Sequence, residues 1–385
     1  MCAADKPLAD VRDELRVDWY RSPLPPGKLR ELMQRSDLQG WWQSAGHLAL
    51  VAGTGVLTYT FWRQEAWLAF AFALFVYGTF SSFLPGAAVH ELGHGTVFRT
   101  RWLNKLFLYL FSLPSWWNPF DYASSHTYHH RYTLHPEGDR EVILPLQPTP
   151  PVRVALTLFT ISLFSRPVSI FGRGGLFTAI VDTVRTALGS NVPPNTPARK
   201  WLIALRADQP EEMRRAMWWA RMVLLFHALV LVVTVATGLW VLPILLSVAT
   251  FIGPWWIYAV GITQHTGLRD DVADFRKCTR SVKLDPLSEF LYWRMNWHIE
   301  HHMYAGIPCY NLKRLWREIA ADLPAPRTFL GAWREMRDIW KRQQADPSYQ
   351  FDVPLPATAG TARGDIGDQI EQSVGDLAPR GLARY

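Results

Sequence analysis

The chain has only three cysteines, Cys2, Cys278 and Cys309, in 385 residues, and no CxxC pair. That excludes a disulfide scaffold. Charge is also scarce, at 19% of residues. Apolar and aromatic residues, 49% and 14%, exclude disorder for most of the length. A strong charge of either sign is missing too. The net +7 fits nucleic acid or an anionic membrane face equally well. An N-terminal apolar stretch is absent: the first 37 residues are polar and interrupted by Pro23, Pro25 and Pro26, so no signal peptide is expected.

The charges that exist are unevenly placed. Leu38–Trp62 and Ala66–His90 are runs of 25 residues without Asp, Glu, Lys or Arg, and Met222–Leu268 is a run of 47. A membrane crossing needs about 20 apolar residues. The runs therefore predict four spans in two hairpins, near 44–62, 66–85, 222–240 and 242–262. The mean hydropathy of −0.03 is then an average over spans and a polar remainder. Seven Lys and Arg precede residue 44, and fourteen lie in residues 86–217. The short connectors carry only Arg63. The positive-inside rule places both termini and the long middle loop in the cytoplasm. Nucleic acid is not an expected partner of such a chain. Trp41, Trp42, Trp62, Trp67, Trp116, Trp117, Trp218, Trp219 and Trp240 fall near the expected membrane boundaries.

The expected fold class is an all-α integral membrane protein, with a helical cytoplasmic cap over the spans. Residues 1–43 form an N-terminal segment and 44–320 the membrane domain. Residues 321–353 are a cytoplasmic helical region, and 354–385 a mobile tail. Trp102–Trp117 and Val152–Phe171 read as interfacial or amphipathic helices.

Eight of the twelve histidines fall in three groups: His90 and His94, then His126, His129 and His130, then His298, His301 and His302. Residues three and four apart share a helix face, so each group aims imidazoles at one point. Neutral imidazole is the commonest ligand for iron, zinc and copper. With four spans, all three groups lie on the cytoplasmic side, together with His265 after the last span. One cap can therefore collect nine imidazoles as a metal site. His47 is expected at the interface, and His227 inside the third span with a bundle-facing hydrogen bond. His135 is expected at the surface or behind a ligand.

These groups, with His130-Arg-Tyr-Thr running to Asp139 and Asn296-Trp-His-Ile-Glu-His-His followed by Ile307-Pro-Cys-Tyr-Asn-Leu, resemble the histidine boxes of the membrane fatty acid desaturase family. The resemblance covers about residues 40–320. It implies two iron ions on the eight box histidines, and His265 matches an extra histidine of some members. It further implies O2 as co-substrate, an external two-electron supply and a lipid acyl substrate. Asp139, Glu91, Glu300, Gln264 and Asp121 are candidates to orient the rings. No four-cysteine ferredoxin or rubredoxin pattern, no His-Pro-Gly-Gly segment and no GxGxxG is visible. A separate donor of ferredoxin, cytochrome b5 or rubredoxin type is therefore expected. His298 opens the third box where front-end desaturases often carry Gln, which favours a methyl-end or mid-chain acyl desaturase.

Three rivals remain on the residues alone. A lipid or terpenoid hydroxylase or ketolase uses similar boxes. His90-Glu91-Leu-Gly-His94 also satisfies HExxH, the zinc metalloprotease pattern, but a protease leaves the second and third groups unexplained. A metal transporter would place its ligands near the bilayer midplane, whereas these clusters lie outside the spans.

Overall fold

The computed structural model describes residues 6–144, 146–164, 174–190 and 197–360. It is helical, apart from one parallel pairing of Val282–Lys283 with Arg327–Thr328. The first long helix, Asp37–Arg63, starts at Ser36, whose Oγ accepts from Gln39 N at 3.4 Å. It turns back at Glu65, which takes a left-handed φ of 56°, into Trp67–Ser81. That helix runs on through a π turn, Leu84–Ala88, into Val89–Gly93. The π turn holds Pro85, which lacks the N–H needed for regular α bonding.

Two helical runs, Trp67–Gly93 and Pro210–Thr237, are long and apolar enough to cross a membrane. Their outward positions are oily, as at Leu68, Phe72, Leu225, Leu229 and Val235. The second run ends at Gly238, whose φ of 69° supplies the left-handed C-cap. The first expected span lies on Asp37–Arg63, which buries Gln43, Ser44 and His47. The fourth expected span is not one helix. Residues 244–261 divide into a π turn Ile244–Val248, a 3-10 turn Ala249–Phe251 and Trp255–Gly261. Pro254 cannot donate, and Gly253 takes φ 54°, so the break sits where both residues stand.

Other expectations meet the coordinates unevenly. Arg101–Ser112 is amphipathic: Leu103, Phe107 and Phe111 point inward, Trp102, Leu106 and Leu110 outward. Val152–Phe159 is helical, and residues 165–171 of that expected helix lie outside the described set. Trp117 is buried, and Trp116 stacks on His227 at 3.7 Å. His227 also bonds Ser247 Oγ at 2.7 Å, inside the bundle. Residues 354–360 of the expected tail are held to the body. Gly360 N donates to Asp322 Oδ1 at 2.7 Å, and its carbonyl accepts from Arg276 at 3.0 Å. Residues 361–385 lie outside the described set.

His47 is fully buried. Its Nε2 lies 3.2 Å from the Phe80 carbonyl, and its Nδ1 accepts from Trp293 Nε1 at 3.0 Å. One imidazole thus ties the first two long helices to the loop before the third histidine group, where Trp293 and Arg294 both take left-handed φ, 52° and 58°. His47→Ala strands the buried Trp293 Nε1 and removes a contact from the Phe80 carbonyl, so a loss of about 1–3 kcal/mol in stability is expected. Thermal unfolding in detergent measures it, and an unchanged midpoint would contradict the bridge.

Candidate metal centre

Each histidine group has its own mount. His90 sits on Val89–Gly93, and His94 caps that helix. His126, His129 and His130 lie on Pro119–Tyr132, started by Asn118, whose Oδ1 accepts from Phe120 N and Asp121 N at 3.2 and 3.3 Å. His298, His301 and His302 lie on His298–Met303. His265 follows the short helix Trp255–Gly261.

The nine imidazoles collect in two groups. His90, His94, His126, His130 and His301 form one; His129, His265, His298 and His302 form the other, each with its ligand atoms within 4.8 Å of one another. The groups do not follow the sequence boxes. Neighbours on a helix point about 100° apart, so His129 and His130 serve opposite groups, as do His301 and His302. The helix Pro119–Tyr132 thus supplies imidazoles to both groups.

The far side of most rings is held. Nδ1 of His90 meets Glu91 at 3.0 Å, and Nδ1 of His126 meets Glu141 at 3.1 Å. Nδ1 of His129 meets Asp139 at 2.9 Å. His265 Nδ1 faces the Cys278 carbonyl at 2.9 Å, His298 Nδ1 the Gln264 amide at 3.2 Å, and His302 Nδ1 the Thr133 hydroxyl at 3.1 Å. The carboxylate, carbonyl and hydroxyl contacts accept a proton from Nδ1, which selects the tautomer and leaves Nε2 free to ligate. The Nε2 pairs His130–His301, His265–His298 and His298–His302 then lie only 3.1, 3.2 and 3.2 Å apart. Nitrogens bound at about 2.1 Å to one ion would sit about 3.0–3.4 Å apart at angles from 90° to tetrahedral. Nε2 of His90, His94 and His126 are buried, and among the described residues no hydrogen-bond partner reaches them.

Charge agrees with geometry. Burial, then the neighbouring imidazoles, pushes His126, His298, His301 and His302 well below the usual imidazole range. The same causes bring His94 and His265 down to about 3. Neutral rings are the ligand-competent form. His129 differs: burial works against its charge, but the Asp139 carboxylate outweighs burial and raises it. A cluster of mutually facing imidazoles, most of them buried and held neutral, with orphaned nitrogens fits metal ions.

A fatty acid desaturase family model matches residues 65–332, which contain all nine histidines. The chain belongs to the fatty acid desaturase family. Comparison with curated proteins gives no match. As a desaturase-family member the chain is an oxidoreductase with a histidine-rich metal site.

Within this desaturase-family site, Asp139, Glu91 and Gln264 contact histidines of the two groups. Glu300 instead accepts from Ser281 Oγ at 2.6 Å, and Asp121 pairs with Arg206 at 2.6 Å. His135 is buried against the Tyr132 and Thr133 carbonyls. Sequence reasoning missed Glu141, Thr133 and Arg280. Glu141 is wholly buried. It joins His126 to Ser125 Oγ, which also accepts from Trp201 Nε1 at 2.9 Å. Burial lifts the Glu141 carboxyl to about 7. Removing such a ring-orienting group typically weakens metal binding by about 10–100-fold. Glu141→Ala is expected to release metal to a chelator faster by that order; wild-type retention would contradict the role.

Proposed function

We propose that the chain is an O2-dependent membrane di-iron oxidase that introduces a double bond into the acyl chain of a lipid. The observation that carries this reading is the division of nine imidazoles, most of them buried, into a five-nitrogen and a four-nitrogen group. His90, His94, His126, His130 and His301 would hold one iron, and His129, His265, His298 and His302 the other. The two irons, when bound, supply O2 activation and hydrogen removal from an unactivated C–H bond. The chain's own residues fix ring tautomers through Glu91, Asp139 and Glu141, and exclude water by burial. Two electrons arrive from a separate donor of ferredoxin, cytochrome b5 or rubredoxin type. In this reading four segments enter the bilayer as two hairpins, the fourth as a broken helix, with both termini and the metal centre on the cytoplasmic face.

The position of Glu91 weighs against a zinc protease. Its carboxylate lies behind the rings, 3.0 Å from His90 Nδ1 and 3.5 Å from His301 Nδ1. A general base would face the ion's open side. Hydroxylation or ketone formation on the same centre is the second reading, since the ligand set is common to both. Expression in a host of known lipid content, with mass spectrometry of the products, tests the proposal. A new double bond is expected. A new hydroxyl or keto group would transfer the assignment to the second reading, and unchanged lipids from an iron-loaded enzyme would overturn both.

A further inference from the structure

Three rings run from the surface to the metal centre. Trp19, on the N-terminal segment, is half-buried. Its indole stacks on Phe275, with centroids 4.0 Å apart and planes within 7°. Phe275 is 1% exposed, and its ring lies 5.5 Å from that of His302, tilted by 37°. Trp19 Nε1 also donates to the Arg131 carbonyl at 2.9 Å, and Arg131 directly follows His130. One half-buried indole is therefore linked to both histidine groups, to the four-membered group through rings and to the five-membered group through the backbone beside a ligand.

The contact is locked in place. Tyr20 N donates to Ala273 O at 2.9 Å, and Tyr20 bridges Asp274, just before Phe275. The guanidinium of Arg276 lies 3.7 Å over the Tyr20 ring and pairs with Asp274 and Asp322 at 2.9 Å each. A second ring stacked on a ligand, Tyr122 on His126, leads to Trp117, which is buried at 7%. Of these two ring paths, that of Trp19 reaches solvent.

We infer that Trp19 is the electron-entry residue, passing electrons from a docked one-electron carrier protein through Phe275 to the iron at His302. The inference rests on the di-iron reading above. Electron transfer falls off exponentially with the gap between groups, and closely packed rings shorten each gap. In each transfer the carrier loses one electron and is oxidised, and the ferric ion gains it and becomes ferrous. No bond forms or breaks, the rings are not themselves oxidised or reduced, and two transfers serve one turnover.

The test uses the iron-loaded full chain in detergent. A ruthenium polypyridyl photoreductant is attached to the thiol made by Asp18→Cys in a Cys2→Ser background; Cys278 and Cys309 are buried. Asp18 is exposed and adjoins Trp19. A laser flash starts transfer, and loss of ferric absorbance reports its rate. Adding Trp19→Leu is expected to slow it by about tenfold because the stacked contact is lost, whereas Trp19→Phe keeps a ring and a near-parent rate. An unchanged rate in Trp19→Leu, at full iron content, would overturn the path and leave the di-iron reading standing. If Trp19→Leu loses iron, Phe275→Leu carries the same test with the same two outcomes. A parent chain that binds no iron would overturn the di-iron reading, and the path with it.

Discussion

His302→Ala is expected to abolish lipid oxidation and to halve the bound iron. His302 belongs to the smaller group, which has four imidazoles. Its loss leaves three nitrogens for that ion and removes the Nε2 that lies 3.2 Å from His298. It also frees Thr133 Oγ1 from its contact with the ring. The fall in activity should exceed the roughly 10–100-fold typical of a group that only orients a ligand. His94→Ala makes the informative contrast, because the five-membered group keeps four nitrogens. It is expected to retain more iron than His302→Ala, although activity drops in both. Metal analysis and product quantification on the same preparations measure the pair. Full iron and full activity in His302→Ala would refute the assignment of ligands.

Arg280→Ala is expected to destabilise the protein by about 1–3 kcal/mol, as for buried acceptors left without a donor, and to empty the four-histidine group. Arg280 is 1% exposed. Its Nη1 donates to Thr263 O at 2.6 Å and to Thr266 O at 3.2 Å, and its backbone N donates to Gln264 O at 2.8 Å. Three carbonyls around His265 therefore hang from one residue. Its Nε reaches Glu335 Oε1 at 2.8 Å, on the helix Phe329–Ala345. Without the guanidinium, Glu335 keeps Arg327, at 3.1 Å, and the Thr263 and Thr266 carbonyls lose the Arg280 donor. The unfolding midpoint in detergent and the iron content should fall together. Loss of stability with full iron would show that Arg280 braces the fold but does not place His265.

The metal centre was legible because imidazoles at spacings of three and four are rare and point one way. The pairing of sites was less so. Boxes are units of sequence, whereas the two groups cut across them at His129–His130 and His301–His302. Glu300 illustrates an avoidable misreading: two residues from His298 on a helix is a rotation of about 200°, so its carboxylate faces away, toward Ser281. Glu141 left no such trace. It lies beyond the second box in chain without regular structure, and only tertiary packing brings it to His126. The four long apolar stretches showed how much chain avoids water, but not where helix continues. Gly253 and Pro254 were visible breakers inside the fourth, and they outweighed its hydropathy.

The π turn at Leu84–Ala88 makes the first box a matter of phase. A π turn adds one residue to a helical run, and one residue is about 100° of rotation. His90 and His94 both lie beyond it, so both inherit its angle. Deleting one residue there, with the run restored to regular α winding, would keep every histidine and every spacing within the box. It would nonetheless swing both rings away from His126, His130 and His301. What the chain must preserve at this point is therefore an angle, set five residues before the first clustered histidine by a proline that cannot donate.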